Sequence, residues 1–333
     1  MKTSSKTLFM MMLIISTILV ISSSSWLNMW IGLEINLMAF IPLMSSPKNI
    51  FLSQSTMMYF LIQSMSSMMF ITFILMNKYI FLWMSSDLSK IMIMLTMMMK
   101  MGMPPFHMWF PEIMNKMSWP LCMMLMTWQK LAPMYIVSMT INMNKVTITV
   151  ICISAVMGAI GGINQTSTRK IMAYSSMNHM SWMFSCAAMF KKSWIMYMTM
   201  YIMLMMIIST MMYMYNIMFI NQMNTLTNKN MEKMNIISLM LSVGGLPPFL
   251  GFLPKWITIQ YMISSKEFLM MVVMMMTALI TLMYYLRVSF MVNLIMSHSQ
   301  KWMNHIPTSK SLSTLMMTTN LFLPMFILVM NFH

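Results

Sequence analysis

Acidic residues are the scarcest component of this 333-residue chain: Asp and Glu number 5 together, against 20 Lys and Arg. Charged residues of both signs make up 8% of the sequence and hydrophobic ones 59%. A soluble domain carries about 25% charged residues to face water, so so few charges could not cover a globule of this size. The shortage excludes an ordinary soluble enzyme, a disordered chain and a fibrous repeat. Cysteine is scarce too. Cys122, Cys152 and Cys186 all lie inside apolar runs, with no CxxC and no Cys/His zinc spacing, and read as buried apolar side chains. Glycine is the third shortage, with 8 in all. No Rossmann or P-loop pattern is present; Gly158-Ala-Ile-Gly161-Gly162 matches neither and reads as a close helix contact. The histidines, at 107, 179, 298, 305 and 333, give no paired-haem pattern, and no cysteines cluster for iron–sulfur.

Methionine is abundant instead, 64 residues. It takes positions usually held by Ile and Leu, which its adaptable apolar side chain can fill. A methionine binding surface would form one stripe, whereas these are everywhere. The excess reads as drift of an AT-rich genome with an altered code, as expected of an invertebrate mitochondrial gene.

The apolar runs set the fold class. A helix crossing a bilayer needs about 20 apolar residues, and eleven runs qualify: 7–22, 26–44, 56–76, 89–110, 121–141, 147–163, 171–190, 194–219, 235–262, 268–290 and 312–330. The first is not followed by a small-residue cleavage site and reads as a span. The runs do not alternate every two residues, which excludes a membrane barrel. The expectation is an all-α polytopic membrane protein, a single transmembrane bundle over 1–333. The net charge of +15 does not cluster as a nucleic-acid surface would; it sits singly or in pairs between spans and orients them. With the N-terminus inside, the inner ends hold Lys2, Lys6, Lys48, Lys116, Arg169, Lys170, Lys229, Lys233, Arg287, Lys301 and Lys310. The outer ends hold Lys78, Lys90, Lys145, Lys191, Lys192 and Lys266. The positive-inside rule prefers that orientation, and eleven spans put the C-terminus outside.

Beyond the charges at those ends, three lysines and one glutamate remain inside the apolar runs: Glu34, Lys100, Lys130 and Lys255. Each costs about 2.5–3.5 kcal/mol at the bilayer centre on insertion scales, and the default reading of such residues is an ion or proton path. Blander readings stand beside it. Lys100 and Lys255, close to proline breaks, could snorkel to the headgroups, and a structural Glu–Lys bridge would use one lysine of the three. A lysine's hold on its proton depends on the dryness of its surroundings and on neighbouring charge. A chain of such groups can therefore exchange protons, as arginine cannot.

Two spans carry the same interruption. Gly102-Met103-Pro104-Pro105-Phe106 follows Lys100, and Gly245-Leu246-Pro247-Pro248-Phe249 precedes Lys255. Proline lacks a donor and clashes with the preceding turn, so each helix breaks there. Broken backbone at membrane depth is tolerated only where it is buried in protein or lines a wet cavity. The breaks are five spans apart, so the two helices run in opposite directions. This implies inverted repeats over about 7–143 and 147–291 plus a C-terminal helix at about 312–330, with two broken helices marking a transport site. Two ordinary kinks and a chance pentapeptide are the alternative.

Four segments now carry a resemblance. Gly32-Leu33-Glu34-Ile35-Asn36, Lys100-Met-Gly-Met-Pro-Pro-Phe-His107-Met-Trp-Phe-Pro-Glu112, Trp128-Gln129-Lys130-Leu131-Ala132-Pro133 and Gly244-Gly-Leu-Pro-Pro-Phe-Leu-Gly-Phe-Leu-Pro-Lys255-Trp256 resemble, in order along the whole chain, the antiporter-like proton-channel family of respiratory complex I (NADH:ubiquinone oxidoreductase), in its mitochondrially encoded subunit 2 branch. The animal form lacks three N-terminal helices of bacterial relatives. The resemblance implies a fold of two inverted five-helix repeats and a membrane-arm subunit that moves protons. Glu34 then pairs with Lys100 in the first half-channel, Lys130 links the halves, Lys255 serves the second, and His107 extends the path as a relay. The resemblance also implies no cofactor in this chain, with FMN, iron–sulfur clusters and ubiquinone in partner subunits. Implied partners are other membrane-arm subunits, antiporter-like ones among them, and lipids including cardiolipin; nucleic acid is not one. The implied location is the mitochondrial inner membrane. A free-standing Na+/H+ antiporter usually has fourteen helices, and a structural spacer leaves the buried lysines unexplained. Two geometric expectations follow: Glu34 at salt-bridge or one-water distance from Lys100, and the three ammonium groups in a row at one depth, with His107 and His179 as candidates between them.

Overall fold

The computed structural model describes residues 3–45, 49–79, 86–225 and 230–294, together with 317, 318 and 320. Most of the expected span 312–330 lies outside these residues, as do Lys2, Lys48, Lys229, Lys301, Lys310, His298, His305 and His333. The described chain is helical throughout: α1 (Thr3–Ser22), α2 (Trp26–Met44), α3 (Ile50–Tyr79), α4 (Ser86–Met101), α5 (Trp109–Lys116), α6 (Trp119–Met126), α7 (Trp128–Thr140), α8 (Lys145–Ile163), α9 (Thr168–Met189), α10 (Ser193–Met214), a 3-10 turn at Ile220–Thr225, α11 (Asn230–Gly244), α12 (Phe252–Ser264) and α13 (Phe268–Leu294). It divides into two compact units, Met1–Ser154 and Ala155–His333, whose boundary falls inside α8.

Among the described residues, six helices are long and apolar enough to cross a membrane: Ser4–Ser22, Trp26–Met44, Ile50–Met76, Lys145–Ile163, Ser193–Met214 and Phe268–Val292. The remaining expected spans within the described residues depart from that standard for two reasons. Three are interrupted, as α4–α5, α6–α7 and α11–α12. The other, α9, is polar: Ser175, Ser176, Asn178, His179, Ser181 and Ser185 are all buried along it. Hydroxyls inside the helices are satisfied by their own backbone, as where Ser66 donates to the carbonyl of Gln63 at 2.7 Å and Thr96 to that of Ile93 at 2.7 Å. Large apolar side chains point outward from α1, α3, α10 and α13; Leu269 is 71% exposed and Met283 70%. Apolar surface on this scale belongs against lipid or other membrane proteins.

The interruption between α6 and α7 corrects the expectation of two broken helices. It sits at Thr127, with φ −111° and ψ −73°. Pro133 lies farther on, inside α7. The Thr127 hydroxyl donates to the carbonyl of Met123 at 2.7 Å, a bond that bends helices.

Within the first unit α1 packs on α2, α2 and α4 on α3, and α7 on α4. Within the second, α11 packs on α13, and α9 on α10, α12 and α13. The expected close contact at the glycines of α8 is present: a Cβ on Gly158 would come within 2.9 Å of the backbone nitrogen of Asn178 on α9.

Candidate functional site

In the first unit α4 ends at Met101 in a Schellman turn. The Met103 N–H donates to the Met98 carbonyl at 3.0 Å and the Gly102 N–H to that of Met99 at 3.3 Å. Gly102 has φ +69°, the left-handed region that glycine enters without penalty. A Cβ there would also stand 2.7 Å from the Cβ of Phe110. Lys100 lies in the last helical turn and is buried. Its backbone carbonyl, which a helix end leaves without a donor, accepts from Nε2 of Gln63 on α3 at 2.9 Å.

Phe110, in the first turn of α5, connects this break to the next lysine. The ammonium of Lys130 lies 5.1 Å from its ring centroid, within cation–π range. Lys130 is 2% exposed and sits in the first turn of α7, just past the Thr127 interruption. Lys100 and Lys130 both line one cleft. Its other polar walls are Asn36, Tyr59, Gln63 and Gln129. Three of these form a relay of hydrogen bonds: Tyr59 donates to Oε1 of Gln129 at 3.5 Å, and Gln129 Nε2 to Oδ1 of Asn36 at 3.2 Å.

Glu34 does not complete an ion pair. It is half-buried on α2, and the described residues contain no contact within 4.0 Å between its carboxylate and a lysine. His107 lies between α4 and α5; it is buried, and its Nδ1 has no partner among the described residues. It is not among the residues lining the cleft.

In the second unit α11 ends in the same turn. The Leu246 N–H donates to the Leu241 carbonyl at 3.3 Å, and the Gly245 N–H to that of Ser242 at 2.9 Å. Gly245 has φ +83°. Lys255, in the first turn of α12 and buried, donates from Nζ to the Gly244 carbonyl at 2.8 Å. Its chain fills the space that a Cβ on Gly245 would need, with Nζ and Cδ both 2.8 Å away. A cation at a helix C-terminus is well placed against the dipole. His179, midway along α9, shares a 3.0 Å hydrogen bond between Nδ1 and the Tyr197 hydroxyl. The rings of His179 and Tyr201 lie 5.2 Å apart.

Four participants escaped the reading of the sequence. Gln63, Tyr59 and Gln129 are polar residues within apolar runs, and their partners lie 37 to 93 residues away. The fourth, Asn320, accepts from the Leu250 N–H of the second break at 3.4 Å through its backbone carbonyl. Its side-chain amide is buried, with neither atom partnered among the described residues. In addition, the motif's Phe106 is 40% exposed, whereas Phe110 makes the contacts.

Residues 23–281 match the family described as NADH:quinone oxidoreductase/Mrp antiporter, TM. The NADH-ubiquinone oxidoreductase chain 2 of Locusta migratoria is 42% identical over 310 residues, covering 92% of this chain and 91% of that protein. That of Anopheles gambiae is 40% identical over 308 residues, covering 91% and 90%. Among solved structures, a chain of respiratory complex I from Thermus thermophilus with bound aureothin is similar at a TM-score of 0.81 and 16% identity, over 95% of this chain and 76% of that one. At that identity the likeness concerns the fold.

Proposed function

The chain belongs to the NADH:quinone oxidoreductase/Mrp antiporter family of membrane proteins, alongside the NADH-ubiquinone oxidoreductase chain 2 proteins, and on that premise we propose that it is the membrane-arm subunit of respiratory complex I that carries protons along Glu34, Lys100, Lys130 and Lys255. It acts as part of a proton-translocating NADH:ubiquinone reductase. NADH oxidation and ubiquinone reduction take place in partner subunits, where FMN and the iron–sulfur clusters reside. The chain crosses the mitochondrial inner membrane eleven times, with its N-terminus in the matrix and its C-terminus in the intermembrane space. Two inverted five-helix repeats, about 7–143 and 147–291, supply the two half-channels. Neighbouring antiporter-like subunits and cardiolipin cover its apolar flanks.

The observation that carries this reading is the cleft lined by both Lys100 and Lys130 with four uncharged polar side chains. Polar walls and two ionisable groups around one space are what a water-assisted proton transfer requires. Glu34 acts as the carboxylate that tunes Lys100, and Lys130 as the exchange point towards Lys255. His107 extends the first half of the path, and His179 with Tyr197 serves the second. The roles of Lys130 and the cleft are tested together by Lys130→Ala in the assembled complex. Proton translocation should be abolished while the complex still assembles. A variant that assembles and pumps normally removes this chain from the proton path.

A further inference from the structure

We infer that Gln63 is a positioning residue for proton transfer, holding the end of α4 so that the ammonium of Lys100 is left to face the cleft. The inference rests on the proposed role of Lys100. The backbone at each break has a carbonyl that needs a donor. A lysine can supply it, because the cation also answers the dipole at a helix C-terminus. In the second unit a lysine of the following helix does so: Lys255, in the first turn of α12, donates to the Gly244 carbonyl at 2.8 Å. The first unit differs. There a neutral amide from another helix, Gln63 Nε2, takes the Lys100 carbonyl at 2.9 Å. The Lys100 ammonium makes no ion pair within 4.0 Å among the described residues, and Lys100 is one of the residues lining the cleft, with Gln63 and Lys130.

The chemistry explains why an amide suits the position. Gln63 offers an N–H donor with no charge and no proton to trade, so it fixes the backbone without joining the titration. It is 6% exposed. If the donor is removed, the carbonyl is left open to an ammonium, as the Gly244 carbonyl is in the second unit. The Lys100 ammonium turns back to the helix end and stops exchanging with the cleft.

Two substitutions test this in the assembled complex, reconstituted in lipid vesicles. Protons translocated per NADH oxidised are measured beside the yield of assembled complex. Gln63→Leu should lower the proton ratio about fivefold, the factor that one hydrogen bond of ordinary net strength carries. Gln63→Glu should keep the wild-type ratio at acid pH, where the carboxyl still donates, and lose it as pH rises and the carboxylate can only accept. If Gln63→Leu does not assemble, the pH profile of Gln63→Glu decides alone. A cap serving stability only would reduce the yield and leave the ratio of the surviving complex untouched at every pH. That result overturns the inference. Lys100→Ala, measured in parallel, separates the two claims. Loss of pumping in Lys100→Ala with wild-type ratios in both Gln63 variants refutes the role of Gln63 alone. Full pumping in Lys100→Ala refutes the role of Lys100, and that of Gln63 with it.

Discussion

The two breaks are built from one pentapeptide pattern and one turn, yet they treat their lysines in opposite ways. Counted from the two left-handed glycines, Pro111 in the first unit answers to Pro254 in the second, and Phe110 to Leu253. The charges do not correspond: Lys100 answers to Val243, and Lys255 to Glu112. The first break has its lysine before the glycine, with the backbone carbonyl capped by Gln63. The second has its lysine after the glycine, and the lysine itself is the cap. The same turn can therefore hold a lysine in two states of engagement, one lining a cleft and one bonded to backbone. The geometry of the turn fixes only where the helix stops; the neighbouring donor decides what the lysine is for.

The largest expected effect separates the two glycines. Gly102→Ala forces a side chain into the left-handed region, at about 1–2 kcal/mol. It also drives a Cβ against Phe110, with overpacking of about 1–3 kcal/mol. At Gly245 the same backbone penalty applies, but the neighbour is the flexible end of Lys255. Thermal unfolding of the detergent-solubilised complex should show the larger loss for Gly102→Ala. Equal losses would mean that the breaks are packed alike.

Next, Lys255→Met should cost stability where Lys100→Met does not. Removing Lys255 leaves the Gly244 carbonyl buried without its donor, at about 1–3 kcal/mol. Removing the Lys100 side chain leaves its carbonyl with Gln63. Both variants should lose proton translocation, and only Lys255→Met should unfold at lower temperature. A smaller effect belongs to Phe110→Leu, which removes the ring beneath Lys130 and a cation–π contact of about 1–2 kcal/mol in a desolvated site. Its expected readout is a modest drop in melting temperature with pumping reduced but present; there is no counterpart at Leu253. The smallest effect is expected outside both breaks. Lys90→Ala loses the exposed pair with Asp87 at 3.9 Å, worth about 0–1 kcal/mol, and should change neither pumping nor stability measurably.

Much of this arrangement was legible in the sequence, for physical reasons that can be named. Glycine is so rare here that Gly102 and Gly245 marked both turns, and paired prolines marked helix ends. The intramembrane lysines stood out because each carries a cost that an apolar residue would avoid. The third break did not stand out. Pro133 lies inside α7 and Pro42 inside α2, and neither ends its helix, so the prolines of these runs do not mark the interruption at Thr127. The caps were also illegible. Gln63 looks like any lone amide until folding brings α3 against α4. Of the expected pairing of Glu34 with Lys100 at salt-bridge or one-water distance, no ion pair within 4.0 Å is present among the described residues, because a motif names residues and not whether their atoms touch.

The polar helix α9 has a consequence for how the protein enters a membrane. An insertion machinery judges each segment by its partition into lipid, and α9 carries two cations at its start, a histidine, an asparagine and a file of serines. Such a segment gains little from lipid alone. It becomes stable only where α10, α12 and α13 meet it, and where Gly158 lets α8 approach its backbone. The segment therefore has to be retained beside the translocation pore until its neighbours arrive. Biogenesis of this unit is then cooperative among spans rather than sequential, and a fault in α10 or α13 will first be seen as failure to integrate α9.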